Sequence, residues 1–223
     1  MSLVETQNTI ILPENIKVTE SSGAIDLYEN IFTEEISKKL IEAFEEANNN
    51  PSCPIKYSNA LIGDGNDGGS VRSNLTMSIF EHNDIHNNPC LCQINSAVQF
   101  IKDQLSLFVR HYCIKYDLEI AFDEGLQVLK YSPGRQYKVH TDYGPGVEHR
   151  VLSGLIYINP GEYEGGGTYF SNFNHTVNPD SPALALFPSN YAYRHAARPV
   201  FDGYKYAIVT WFGPPWAVNR WQR

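Results

Sequence analysis

His140-Thr141-Asp142 places an imidazole and a carboxylate two positions apart. In an extended strand residues i and i+2 face the same side, so both groups can point at one centre. One more histidine from a distant strand would complete a set of two histidines and one carboxylate, which binds non-haem Fe(II) and leaves three coordination positions open. A single His-x-Asp is weak evidence, and the chain holds a second, His82-Asn83-Asp84, in the polar stretch EHNDIHNNP. With no apolar flank, that copy reads as surface loop. His149, His175 and His195 all follow Asp142, and only His195 has a cation ten residues later, Lys205; the same offset gives Asn159 and Ala185 from the other two. Ten residues make one strand, a tight turn and part of a return strand. A lone histidine is ordinarily a hydrogen-bonded core or surface residue, and it is this combined spacing that favours a metal site built on His140, Asp142 and His195.

These residues need strands to hold them. From about Leu118 short runs rich in Tyr, Val, Ile and Phe (GLQVLKY, YKVH, VLSGLIYI, TYFSNF, ALALF, YAIVTWF) alternate with Gly, Pro and Asn, the pattern of a sandwich or barrel. Pro182 to Phe187 reads as a fully buried strand, and Asp202-Gly203 as a hairpin turn before Tyr204 to Phe212. The first half reads as helical. Thr33 offers an N-cap to a helix carrying Ile36, Leu40, Ile41 and Phe44 on one face, ended by Asn48-Asn49-Asn50-Pro51. A second helix opens at Asn88-Pro89 and repeats Ile94, Val98, Ile101, Leu105, Phe108 and Tyr112 at helical spacing. The expected fold is α+β, mainly β: a double-stranded β-helix, or jelly roll, over 118–212, supported by helices in 33–117. Residues 24–223 form one domain behind a polar, partly loose segment 1–23, and Ala24 to Tyr28 suggests a short strand where the domain begins. The glycine-rich 62–70, IGDGNDGGS, lacks the Gly-Lys-Ser/Thr ending of a phosphate cradle and reads as a mobile loop or a lid.

Composition sets outer limits. At 223 residues and 42% hydrophobic content, one domain buries roughly 70% of its unfolded surface and needs no staple to fold. A net charge of −8 argues against a nucleic-acid backbone as partner, because that requires a basic face. No apolar run approaches the ~20 residues of a membrane helix, and no secretory leader is evident. Cys53, Cys90, Cys92 and Cys113 lack zinc-knuckle spacing and read as free thiols in a reducing, cytoplasmic compartment. The triplets Asn74-Leu75-Thr76 and Asn174-His175-Thr176 are then chance matches to a glycosylation motif. Nothing in the sequence specifies an oligomer.

Gly125 to Trp211 resembles the prolyl 4-hydroxylase-like branch of the Fe(II)/2-oxoglutarate dioxygenases through YSPGRQYKVHTD, RVLSGLIYINPGEYEGGGTYF and HAARPVFDGYKYAIVTW, in the expected order. The N-terminal part is similar only through its helix-led opening and Val71-Arg72-Ser73. The resemblance implies that His140, Asp142 and His195 bind the iron and that Lys205 pairs with the distal carboxylate of 2-oxoglutarate. It further assigns Tyr131, Tyr157 and Thr168 to the cosubstrate pocket, and Arg150 and Trp211 to the substrate. Its cofactors are Fe(II), 2-oxoglutarate and O2, extending to L-ascorbate. Its reaction is hydroxylation of an aliphatic carbon, peptidyl proline first, with release of succinate and CO2, and its partner is a proline-containing peptide or protein. The chemistry agrees: one carboxylate and the keto oxygen of 2-oxoglutarate chelate iron, and the other carboxylate needs a cation in a half-buried pocket. The loop YGPGVEH is shorter than in many relatives, and Arg135 stands where a glutamine is common. Arg135 and Arg198 are alternative carboxylate binders, less well placed than Lys205. The competing readings are a hydroxylase of a free amino acid or small metabolite, an inactive β-helix binding module, a nucleic-acid demethylase disfavoured by charge, and a zinc hydrolase for which no general base is marked.

Overall fold

The computed structural model describes residues 10–21, 23–61, 69–79 and 88–218. Most of the 62–70 loop and the His82-Asn83-Asp84 motif lie outside them. The N-terminal elements are β1 (Lys17–Ser21), β2 (Ile25–Glu29), α1 (Glu34–Asn49), β3 (Ser58–Asn59), β4 (Leu75–Ile79) and α2 (Pro89–Lys115). Then follow β5 (Phe122–Asp123), β6 (Leu126–Tyr131), β7 (Tyr137–His140), β8 (Leu152–Tyr157), β9 (Tyr163–Gly165) and β10 (Thr168–Phe170). The last are β11 (His175–Val177), β12 (Ala183–Pro188), β13 (His195–Ala197), β14 (Val200–Gly203) and β15 (Lys205–Gly213).

The two helices form for the reasons the sequence gives. Thr33 Oγ1 accepts from the Ile36 amide at 3.3 Å, and Asn88 Oδ1 accepts from the Cys90 amide at 3.0 Å, with Pro89 in the first turn where its missing N–H costs nothing. Every residue of the expected α2 stripe is buried. Strand alternation then makes two cores from one sheet. Tyr206, Ile208 and Phe212 of β15, with Leu126 and Val128 of β6, pack towards the helices. Ala207, Leu129, Tyr131, Leu155 and Tyr157 pack on the opposite side with Phe170, Val177 and Phe187. A nine-stranded sheet runs β1-β2-β12-β8-β15-β6-β4-β3, with β5 also on β15, and a four-stranded sheet runs β11-β10-β13-β7. This is the jelly-roll arrangement, mainly β with two long helices behind it.

Four expectations need correction. Segment 1–23 is not wholly outside the fold: Lys17–Ser21 pairs with β2 along the edge of the large sheet, and its polar composition follows from that edge position. The 33–117 region is not only helical, because β4 adds to β6 and buries Met77 and Ile79; five residues beside a glycine-rich stretch give too short an alternation to read. Asp202-Gly203 does not turn β14 back onto β15. β14 pairs with β9, and β15 lies between β8 and β6. Finally, Cys53 and Cys90 form a disulfide with Cα atoms 5.7 Å apart, in which Cys92 and Cys113 take no part. The start of α2 packs beside the turn after α1, a proximity that a separation of 37 residues does not announce. The thiol argument for a reducing, cytoplasmic compartment falls with it.

Candidate active site

The small sheet brings the metal-ligand candidates together. His140 and His195 are direct partners across β7 and β13, with ring centroids 4.3 Å apart. Asp142 lies two residues beyond His140, just past the end of β7. Its Oδ1 is 3.7 Å from His140 Nε2 and its Oδ2 is 3.8 Å from His195 Nε2. The three ligand atoms lie within 4.8 Å of one another, and no other such group occurs among the described residues. His149 instead meets Glu124 at 2.7 Å, and His175 sits on β11 at the far edge of the small sheet.

Each imidazole is oriented by its own strand. His140 Nδ1 lies 2.8 Å from the Lys138 carbonyl and His195 Nδ1 lies 3.0 Å from the Tyr193 carbonyl. Both Nδ1 atoms therefore carry the proton and donate it, and both Nε2 lone pairs face the centre, as a ligating histidine requires. Tyr137 stacks flat on His140 at 3.5 Å. Burial, reinforced by the nearby His195, pushes His140 down to about 3 and keeps it neutral. Burial alone would raise Asp142, but the two imidazoles and hydrogen bonds from Ser153 and the Trp211 indole hold its carboxyl below the usual range. Ser153 Oγ donates to Asp142 Oδ2 at 2.7 Å and meets Ser189 Oγ at 2.8 Å. The donor set, two imidazole Nε2 atoms and one carboxylate open on one side, suits a divalent ion.

These groups line a cavity of about 540 Å3 whose wall is β6, β8 and β15. At its deep end is Lys205, 1% exposed. Its Nζ donates to the Gly166 carbonyl at 2.6 Å and lies 4.9 to 5.9 Å from the centroids of the Tyr131, Tyr157 and Tyr163 rings. No carboxylate pairs with it among the described residues, and burial pushes it down to about 7. A buried cation with only a carbonyl and ring faces for company fits an anion that arrives with a ligand. Tyr157 donates to Thr168 Oγ1 at 2.7 Å; Thr168 lines the cavity, whereas Tyr157 does not and stands behind it, its ring 4.9 Å from Lys205 Nζ. Arg135 and Arg198 do not line the cavity; Arg198 lies over Tyr169.

Towards the mouth, Arg150 is held in place. Its Nε and Nη2 donate to the two oxygens of Glu124 at 2.7 and 2.6 Å. Its Nη1 points at the Asp142 carbonyl, 3.4 Å away, and its guanidinium lies over the Trp211 ring at 3.8 Å. Sequence reasoning missed Glu124, Ser153, Ser189, Tyr137 and Gln127. Only Tyr137 carried a local signal, as the aromatic that opens the strand ending in His140.

Residues 126–213 match the model of the 2OG-Fe(II) oxygenase superfamily. The matched segment carries His140, Asp142, His195 and Lys205. The chain is 32% identical over 119 residues to a protein of Acanthamoeba polyphaga mimivirus named "Putative prolyl 4-hydroxylase", covering 45% of this chain and 49% of that protein. The match thus spans about half the length of that curated relative. The fold is that of a prolyl hydroxylase from Trichoplax adhaerens solved with a hypoxia inducible factor peptide fragment, at TM-score 0.66, 20% identity and coverage of 86% of this chain and 84% of that one. A Pseudomonas putida prolyl-4-hydroxylase gives TM-score 0.60 at 16% identity, covering 86% and 94% of the two chains. The viral collagen prolyl hydroxylase of Paramecium Bursaria Chlorella virus-1, solved with 2OG, gives 0.56 at 16%, covering 86% and 97%. The matched family model implies Fe(II) and 2-oxoglutarate as cofactors, and the cavity offers a three-residue candidate metal group and a buried lysine. No helix among the described residues is long and apolar enough to cross a membrane.

Proposed function

We propose that the protein is an Fe(II)/2-oxoglutarate dioxygenase that hydroxylates an aliphatic carbon of peptidyl proline, using O2 and releasing succinate and CO2, with ascorbate as a supporting cofactor. The observation that carries this reading is Lys205, a buried cation without a carboxylate partner at the closed end of a cavity whose open end holds His140, Asp142 and His195. A dicarboxylate fits that spacing of needs: one end neutralises Lys205 and the other reaches the metal. His140, Asp142 and His195 would hold Fe(II), which supplies the oxidising chemistry when bound. Lys205 and the hydroxyls of Tyr131, Tyr157 and Thr168 would bind and orient 2-oxoglutarate. Ser153 keeps the Asp142 carboxylate ionised and aimed, and Phe187, Leu155 and Val209 exclude water from the wall. Arg150 and Trp211 would hold the substrate main chain and the target ring above the metal. The assignment to prolyl rather than other carbons rests on the named relatives.

The experiment is succinate release from 2-oxoglutarate in the presence of Fe(II) and O2, with proline-rich peptides against free proline and other amino acids. Peptide-stimulated succinate with a mass gain of one oxygen on the peptide is the expected result. Stimulation by a free amino acid alone would replace the peptidyl reading with a small-molecule hydroxylase, and failure to bind Fe(II) or 2-oxoglutarate would leave a binding module.

A further inference from the structure

Most polar side chains that line the cavity are engaged: Arg150 by Glu124, Ser153 by Asp142, Thr168 by Tyr157, Thr141 by the Ser189 carbonyl, and Arg72 by the Leu61 carbonyl and Asn74. Gln127 is different. Its Oε1 is buried with no hydrogen-bond partner, and its side chain lines the cavity. Leaving a buried amide oxygen unpaired costs on the order of 1–3 kcal/mol, so its persistence in the wall of a reactive cavity calls for a reason.

The strand register says which part of the cavity it serves. Tyr131 pairs with Lys205 and Gln127 pairs with Val209 across β6 and β15. Gln127 therefore stands four residues, about 13 Å of strand, from the cosubstrate end. It is diagonal to Trp211, two residues beyond Val209 on the next strand. It belongs to the mouth, with Trp211 and Arg150, and away from the Lys205 pocket.

A carboxamide offers N–H donors and a carbonyl acceptor, the converse of what a secondary amide offers. Proline supplies only the carbonyl, because its nitrogen carries no hydrogen. We infer that Gln127 is a specificity residue that hydrogen-bonds the main-chain amide of a non-proline residue next to the target proline, so that the enzyme prefers proline alternating with other residues over uninterrupted polyproline. This rests on the peptidyl-proline reading above and narrows it to a sequence context.

The test uses protein loaded with a non-oxidising divalent ion and 2-oxoglutarate, and two probes of equal length: a ten-residue alternating Pro-Ala peptide and ten-residue poly-L-proline. Both favour polyproline II, so ordering costs are alike and the available N–H groups distinguish them. Calorimetry on the wild type should give about tenfold tighter binding of the alternating peptide, the size of one well-made hydrogen bond in a site that otherwise leaves its partner unpaired. Gln127→Leu should bring the ratio close to one by weakening the alternating peptide alone, with 2-oxoglutarate affinity unchanged. Because the readout is a ratio of two ligands on one protein, a partial loss of fold does not mimic it. If Gln127→Leu does not fold, Gln127→Met, unbranched and closer in shape, takes its place. Equal affinity of the wild type for both probes, or a preference that survives either substitution, overturns the inference while leaving the hydroxylase reading standing. If neither peptide binds or supports succinate release and free proline does, the peptidyl reading itself has failed.

Discussion

His140 and His195 are fixed by the same local device, a carbonyl two residues earlier on each histidine's own chain. Removing either ring, or Asp142, leaves two donors where an open-sided ion needs three. His140→Ala, Asp142→Ala and His195→Ala should each abolish turnover and lower affinity for a spectroscopic Co(II) probe by orders of magnitude, whereas His175→Ala should leave the Co(II) titration unchanged. Lys205→Ala removes the cation from the closed end. The KM for 2-oxoglutarate should rise by an amount equivalent to about 2–5 kcal/mol, with Co(II) affinity intact. Lys205 also gives a pH signature. Its ordinary value of 10.5 falls to about 7 in the folded chain, so between those values the unfolded chain binds a proton that the folded chain lacks. Stability of the ligand-free protein should therefore rise with pH across this window, the penalty being complete below it. Bound 2-oxoglutarate restores the proton, so its affinity should fall by up to about tenfold per pH unit above 7. Thermal melts between pH 7 and 9.5, with and without 2-oxoglutarate, check both statements, with Lys205→Met as control. These residues were legible because their spacing is local: two positions within a strand end, and ten across a strand and its return. Ser153, Ser189 and Glu124 were not legible, because each acts on a partner brought near only by strand pairing or a loop return.

At the scale of elements, β5 is the piece on which the mouth depends. Phe122 lies so close to Gly213 that a Cβ there would meet its ring at 2.1 Å. The same short strand leads into Glu124, whose amide donates to the Trp211 carbonyl at 3.0 Å and whose carboxylate clamps Arg150. Gly213→Ala should displace Phe122, cost about 1–3 kcal/mol of stability as overpacked cores do, and raise the KM for peptide more than that for 2-oxoglutarate. A melting curve and two saturation series decide it. The sequence shows α1, α2 and the major strands clearly, because caps and periodicities survive over long elements. β3, β4 and β5 are two to five residues long, and strands that short are held by neighbours rather than by a pattern of their own.

For the whole molecule, one sheet serves two purposes by alternation. Its helix-facing side carries the larger apolar cluster, and its other side carries the reactive cavity. The Cys53–Cys90 bond belongs to the helical side, tying the turn after α1 to the start of α2. Cys53→Ser should lower unfolding stability by about 2–4 kcal/mol and leave Co(II) and 2-oxoglutarate binding unchanged; denaturant titration with and without reductant measures it. The jelly roll was legible from the rhythm of strands and turns. Which strands pair was not, as β14 shows by leaving its sequence neighbour β15 for β9.

Lys205 also bears on the lifetime of the protein. A chain that buries an amine without an anionic partner stores a defect that a bound carboxylate repairs, so occupancy of the pocket shifts the balance between closed and transiently opened molecules. Proteases act on the opened ones. In a cell short of 2-oxoglutarate the enzyme would be cleared faster as well as working more slowly, so that its abundance follows the supply of its own cosubstrate.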